Sequence, residues 1–272
     1  MGHPELPAER WEGASTAEWR AAWNVPALYL YRRVGSTNDV ARRLAEHGAP
    51  PGTVVLADEQ TAGRGRAGRT WLAPPGRALL LSILLRPGAR APLAAPLLAG
   101  LATARAIERT TGVRTGIKWP NDIVVEGKKL AGILCETAAG PGPDYLVVGI
   151  GINVLQEEDD WPPELRAHAT SLRLLTGRAI PRGPLAGALI AETRALVGDT
   201  PALTPALRRE LEARDTLRGR PVLVDGRPAG TALGITGEGA LLVRTPAGTT
   251  ARIRSGTVRA GGPRTSAPDP EP

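Results

Sequence analysis

One stretch concentrates side chains that could do chemistry: Gly63-Arg64-Gly65-Arg66-Ala67-Gly68-Arg69-Thr70-Trp71. Its glycines let a backbone turn closely around a ligand. Its guanidinium groups are planar, permanently charged, bidentate donors for carboxylates and phosphates. The closing indole offers a flat face for a planar ring. Taken alone, such a loop is more often a solvated segment or a nucleic-acid contact than a ligand site. The distribution of other residues adds to it. The lysines are confined to Lys118, Lys128 and Lys129, and the asparagines to Asn24, Asn38, Asn121 and Asn153, in a chain whose other basic residues are arginine. A background that favours arginine keeps lysine where a compact ammonium is needed, although chance clustering is the competing reading.

Three further polar clusters accompany the loop: Ser36-Thr37-Asn38, Lys118-Trp119-Pro120-Asn121-Asp122, and the run from Gly127 to Gly132. The elements around them must place them together. Residues 27–34 read as a first strand, and 39–47 as a helix that Ser36 or Thr37 can cap, unless those hydroxyls face a ligand instead. Residues 53–57 form a short strand leading through Asp58-Glu59-Gln60 into the Gly/Arg loop, and 78–85 a longer, central one. Apolar positions at helical spacing predict a buried helix over 91–111, stopped by Gly112. Residues 113–118 are a strand. Residues 123–126 and 130–137, joined by a turn at Gly127-Lys128, predict a hairpin. Residues 145–154 are a strand whose glycines, Gly149 and Gly151, permit close backbone approach.

From 163 to about 217 the pattern is helical, in two or three pieces broken by Gly177, Pro181, Gly198 and Pro201. From Arg218 the character changes to four short β runs with glycine turns, over 221–225, 230–235, 240–244 and 249–254, which suggest a small SH3-like barrel. Residues 261–272, rich in Pro, Gly and Ser, predict a disordered tail. The first 26 residues carry Trp11, Trp19 and Trp23 around a short helix, which would dock the segment onto the body. The predicted organisation is therefore an N-terminal segment (1–26), an α+β domain on a mixed sheet (27–217), a C-terminal barrel (218–260) and the tail.

Bulk properties narrow the function classes. The chain has 272 residues and 42% apolar content, with no run long enough to span a membrane and no signal-peptide pattern. One cysteine, Cys135, excludes an internal disulfide framework and reads as a packed thiol. These features predict a cytoplasmic protein. A net charge of +7 suggests anionic ligands, but it is spread along the chain, so nucleic acid rests on charge alone. His3, His47 and His168 are too scattered for a metal or catalytic cluster, and Arg208-Arg209 reads as a solvated helix face.

Together the motifs resemble the biotin–protein ligases. Gly-Arg-Gly-Arg-x-Gly-Arg-x-Trp, Lys-Trp-Pro-Asn-Asp, Gly-Lys-Lys-Leu-Ala-Gly-Ile-Leu and Gly-Ile-Gly-Ile-Asn occur in the family's order, and the resemblance covers residues 27–260. It implies a class II synthetase-like catalytic domain with the SH3-like barrel behind it. It implies activation of biotin by ATP and Mg²⁺ to biotinyl-5′-AMP, then transfer to a lysine of a biotin carboxyl carrier protein. Bringing two anions into contact asks for charge neutralisation and alignment. Lys129, Arg66 and Arg64 are the implied catalytic residues. Ser36, Thr37, Gln60, Gly63, Arg64, Arg66, Lys129 and Gly132 are implied for biotin. Arg64, Arg66, Arg69, Trp71, Lys118, Asn121 and Asn153 are implied for ATP or the adenylate, Trp71 by stacking on adenine or, alternatively, by closing the loop hydrophobically. Asp122, with Asn121, is the implied Mg²⁺ contact, and Asp122 also the nearest carboxylate to act as base. Trp119-Pro120 shapes its turn.

The pattern departs from the family in two places. Ala67 stands where an arginine is often found, and the segment before Arg259 is short, leaving open whether barrel residues reach the nucleotide. Some relatives are also DNA-binding repressors, but 26 residues before the first strand are too few for a winged helix, so no DNA binding is expected. A homodimer through the sheet occurs in the family. A lipoate or octanoate transferase and a non-enzymatic carrier-binding protein are the remaining alternatives.

Overall fold

The computed structural model describes residues 5–86, 94–137, 145–198 and 203–261. The N-terminal segment contains β1 (Leu6–Pro7), β2 (Arg10–Trp11), β3 (Ala14–Ser15) and helix α1 (Thr16–Ala22). There follow β4 (Leu28–Val34), α2 (Thr37–Glu46), β5 (Val54–Gln60), β6 (Ala78–Leu85), α3 (Ala95–Thr111), β7 (Gly116–Lys118), β8 (Asp122–Val125), β9 (Lys128–Thr137) and β10 (Leu146–Asn153). Helices α4 (Pro163–Arg166), α5 (Leu172–Thr176), α6 (Arg182–Thr193) and α7 (Pro205–Arg214) lead to β11 (Pro221–Val224), β12 (Arg227–Ile235), β13 (Leu241–Arg244), β14 (Thr250–Ile253) and β15 (Val258–Ala260).

Eight strands form one mixed sheet in the order β1-β4-β5-β6-β10-β9-β8-β7, in which β4 and β5 are parallel and α2 makes the crossover between them. Both faces of its centre are covered, which is why β5 and β6 read as continuous apolar runs rather than alternating ones. Val54 and Leu56 face the large core shared with α3 and α6, while Val55 and Ala57 pack with Val40, Ala41 and Ala45 of α2. In β6, Leu79, Leu81 and Ile83 join the large core, and Leu84 faces α2. Ser82 therefore points toward the first turn of α2, the one polar residue in Ala-Leu-Leu-Leu-Ser-Ile-Leu-Leu.

Several boundaries differ from those predicted. Helix α2 begins at Thr37; its N-cap, Ser36, makes no side-chain capping bond, and the Thr37 backbone N–H donates to Gln60 Oε1 at 2.7 Å. Strand β5 runs on to Gln60, since β4 offers a parallel partner as far as Val34. The strand predicted over 113–118 is confined to β7, and the β8–β9 turn lies at Glu126-Gly127, both in the left-handed region a two-residue hairpin requires. Helix α3 is described from Ala95; residues 91–93, Pro201, His3 and the tail from 262 lie outside the described residues. Among the described residues the region 163–217 holds four α-helices, and a π turn, Arg194–Gly198, follows α6 directly.

The C-terminal unit is a five-stranded antiparallel sheet, β14-β13-β12-β11-β15, one strand more than predicted, because 258–260 pairs with β11. The N-terminal segment is tied into the body. Strand β1 pairs with β4, Trp19 and Trp23 stack at 4.9 Å between centroids, and both rings lie on helix α6 where Gly183 and Gly187 leave room. Arg208 and Arg209 are exposed, Arg208 beside Glu212.

Candidate active site

The polar clusters converge on one cleft. It is bounded by the start of α2, the end of β5, the Gly/Arg loop, the β7–β8 turn, the start of β9, the glycines of β10, and the C-terminal sheet at Asp225 and Gly256 to Arg259. The Gly/Arg loop is itself folded. Trp71 N–H donates to Gly63 O at 2.9 Å and Gly65 N–H to Arg69 O at 2.7 Å, closing a small hairpin whose tip is a single 3₁₀ turn, Arg66–Gly68. At that tip Ala67 takes the left-handed conformation, φ 54° and ψ 39°.

The loop ends by laying Trp71 on a glycine floor. Gly132 and Gly151 are cross-strand partners, and a methyl group at either would meet the indole, at 3.0 Å and 2.7 Å. Side chains there would lift the ring from the sheet. Lys129 Nζ lies 5.5 Å from the ring centroid, in cation–π range. The indole N–H is buried and finds no partner among the described residues. A buried, unsatisfied donor beside an open cleft fits a ligand or water acceptor.

Below the loop lies a buried hydrogen-bonded group. Gln60 Oε1 accepts from the Thr37 backbone N–H and, at 2.9 Å, from its hydroxyl. The Ser82 hydroxyl lies 2.7 Å from Thr37 Oγ1 and donates to Asn38 Oδ1 at 2.6 Å. A methyl at Gly149 would collide with this Asn38 carboxamide. Ser36, Thr37 and Gln60 thus make a polar patch in the cleft, suited to recognition of a neutral hydrogen-bonding ring.

The other wall is cationic. Arg64, Arg66, Arg69, Lys118, Lys129 and Arg259 line the cleft, against the carboxylates Asp122 and Asp225. Lys129 Nζ is 2.7 Å from Asp122 Oδ1. Burial holds the Lys118 ammonium below the usual lysine range, and the neighbouring Lys129, Arg259 and Arg69 push it further down against the pull of Asp122. Burial likewise lowers the Arg66 guanidinium, whose nearest polar side-chain contact is Asn121 Oδ1 at 3.4 Å. Such a concentration of incompletely balanced positive charge fits a polyanion.

The structure does not bring every implied residue to the cleft wall. Asn153 is buried, its amide donating to Thr170 O at 3.0 Å while its carbonyl accepts from Gln156, so it braces β10 rather than lining the cleft. Gly63 stands behind the wall, against Gln60 and the Trp71 carbonyl. Arg64 lines the cleft, yet its guanidinium is bound bidentately by Asp39, at 2.6 Å and 2.9 Å. Arg69 donates to Thr257 Oγ1 at 2.8 Å. Asn121 Nδ2 donates to Ile133 O, and the Trp119 indole is buried with its N–H on Gly239 O. Among the described residues no three His, Cys, Asp or Glu side chains converge as for a metal ion. With Asp122 on Lys129 and Asn121 engaged by Arg66 and Ile133, these two residues make no cation site by themselves.

Sequence reasoning missed Asp39, Ser82, Glu136, Asp225 and Thr257. A lone serine in a buried apolar strand was a legible signal for Ser82; the others lie far along the chain from the motifs they meet.

Two family models match: the biotin/lipoate A/B protein ligase family over residues 30–153 and the biotin protein ligase C-terminal domain over 219–259. The bifunctional ligase/repressor BirA of Bacillus spizizenii is 41% identical over 226 residues, which is 79% of this chain and 68% of that protein. This chain belongs to the biotin protein ligase family. The biotin–[acetyl-CoA-carboxylase] ligase of Mycobacterium tuberculosis is 36% identical over 73% of this chain and 74% of its own length. Among solved structures, the biotin protein ligase of Aquifex aeolicus in complex with biotin and ATP superposes with a TM-score of 0.75 at 32% identity, covering 87% of this chain and 100% of that one. The α+β reading with a small C-terminal β unit agrees with these neighbours. No helix of the described residues is long and apolar enough to cross a membrane.

Proposed function

We propose that this ligase joins the carboxylate of biotin to the α-phosphate of ATP, releasing pyrophosphate, and passes the biotinyl group to a lysine of a biotin carboxyl carrier domain, releasing AMP. The observation that carries this reading is the meeting of the Gln60–Thr37 polar patch with Arg66, Lys118 and Lys129 beneath the folded Gly/Arg loop. The patch suits a ureido ring, and the cations suit a carboxylate and a triphosphate approaching one another. Mg²⁺ arriving with ATP would add positive charge beside the phosphates; among the described residues no three His, Cys, Asp or Glu side chains gather to hold it.

The residues divide the work. Arg66 and Lys129 neutralise the two approaching anions and follow charge as it moves to the leaving pyrophosphate. Lys118 and Arg259 hold the distal phosphates. Trp71, fixed on its glycine floor, supplies a flat wall for the adenine ring. The loop covers the acyl phosphate and keeps water from it. Asp122, beside Lys129, is placed to take the proton from the acceptor ammonium in the second step. The acceptor is a carboxylase carrier domain, and a second copy of this chain, joined through the sheet, is an additional proposed partner.

Exchange of labelled pyrophosphate into ATP tests the first step, with biotin, with lipoate as control, and with Lys129→Ala. Exchange that requires biotin and disappears in the folded variant is the expected result. Equal exchange with lipoate, or none with biotin, sinks the reading.

A further inference from the structure

The first turn of α2 places three consecutive side chains on three parts of the site. Thr37 meets Gln60, Asn38 reaches Glu136 at the end of β9, and Asp39 reaches Arg64 in the loop. Glu136 is shared. Its Oε2 accepts from Asn38 Nδ2 at 2.6 Å, while Arg64 Nη2 donates to its Oε1 at 3.3 Å. Arg64 thus lies between two carboxylates from different elements, and Asp39 meets Arg42 at 3.4 Å as well. Ser82 and Asn38, both buried, continue the chain of contacts back to Thr37 and Gln60.

We propose that Asp39 and Glu136 are positioning residues that pin the N-terminal half of the Gly/Arg loop over the cleft through Arg64, with Asn38 and Ser82 linking this hold to the Thr37–Gln60 patch. The proposal rests on the ligase reading for its catalytic consequence, though not for the hold itself. Three observations point the same way. The Arg64–Asp39 pair is bidentate, the geometry in which an arginine–carboxylate pair is strong and directional. Gly149 carries no side chain where Asn38 must pass, so the strand opposite Ser82 is cut to admit the link. Among the described residues Arg66, two residues on, touches no carboxylate in this way, which leaves it to face incoming anions while Arg64 holds the loop. Asp39 and Glu136 act on the reaction only through that loop. Their loss weakens biotin capture and speeds escape of the adenylate, and leaves the chemical step to Arg66 and Lys129.

Asp39→Asn and Glu136→Gln, singly and together, test this, with Asp39→Glu as the charge-conserving control. The first readout is ligand-free: limited trypsin digestion, with cleavage after Arg64, Arg66 and Arg69 mapped by mass. Cleavage in the loop is expected to quicken about fivefold in each single variant and further in the double, at unchanged Tm, with Asp39→Glu close to wild type. The second is KM for biotin and the release rate of biotinyl-adenylate, both expected to rise about fivefold while kcat of pyrophosphate exchange stays within about twofold. Added salt should speed release from the wild type and change it little in the double variant. A folded double variant whose loop cleavage and adenylate release match wild type overturns the proposal. If wild type forms no adenylate, the ligase reading fails, and the trypsin result still decides whether these carboxylates hold the loop.

Discussion

Lys118 shows how a single side chain can report on the cleft. Its ammonium is depressed mainly by burial, then by three neighbouring cations, so an arriving polyphosphate favours its charged form. The sign follows from linkage. Nucleotide binding takes up protons where the free site holds Lys118 partly neutral, so KM for ATP rises as pH passes upward through the depressed value. Folding runs the opposite way with pH: a lysine lowered in the folded state opposes folding while charged, and that cost falls as pH rises from its folded toward its unfolded pKa. Lys118→Arg keeps a charge throughout, so its profile should lack the alkaline limb, below the ordinary lysine range, that is expected of wild type. A limb unchanged in the variant would assign it to another group. Cys135, its thiol pushed up to about 12 by burial and by Glu136, is an unreactive wall of the outer loop surface rather than a nucleophile.

At the scale of elements, the Gly/Arg loop is a closed hairpin whose tip depends on one unusual residue. Ala67 has φ +54°, a region that costs an L-residue roughly 1–2 kcal/mol and costs a β-branched one more. Ala67→Val should therefore favour the opened loop. The expected outcome is loss of biotinyl-adenylate about tenfold faster than from wild type, since a further penalty of about 1.4 kcal/mol corresponds to that factor. Trapping the released adenylate in a chase against unlabelled biotin measures it, and unchanged retention would mean the tip is not part of the closed state. Strand β10 acts with the loop through Gly151, whose missing side chain lets Trp71 settle on the sheet.

The whole molecule is tied at both ends to the site. The N-terminal segment is locked by Arg182, nearly buried, which meets Glu12 at 2.7 Å and Asp58 at 2.9 Å, donates to Ala78 O, and lies over the Trp11 ring. Asp58 stands on β5 two residues before Gln60 and also accepts from the Trp11 indole. Removing the guanidinium leaves two partly buried carboxylates without their counterion, so Arg182→Gln should lower stability by about 3 kcal/mol. Denaturant unfolding followed by tryptophan fluorescence checks it; a loss below about 0.5 kcal/mol would show the cluster to be incidental. At the other end the C-terminal sheet supplies Asp225, Thr257 and Arg259 to the cleft, with Thr257 N–H donating to Asp225 Oδ1 as its hydroxyl accepts from Arg69.

The sequence by itself determined the family, the succession of the main strands along the chain, and the polar clusters that meet in the cleft, because Gly/Arg, Lys-Trp-Pro-Asn-Asp and Gly-Ile-Gly are local patterns. It also placed β6 to the residue, since a strand buried on both faces announces itself as an unbroken apolar run. Only the tertiary structure decided which arginine does what. Arg64, Arg66 and Arg69 are equivalent as letters; Asp39 and Glu136 claim the first, Thr257 the third, and Arg66 is left facing the cleft. Likewise Asn153 and Gly63 carry motif positions yet stand behind the cleft wall. The assignments of Arg64 and Arg69 depend on partners 25 to 188 residues away along the chain, and side-chain pairing across such distances is set by how the sheet, α2 and the C-terminal unit pack, which no local pattern encodes.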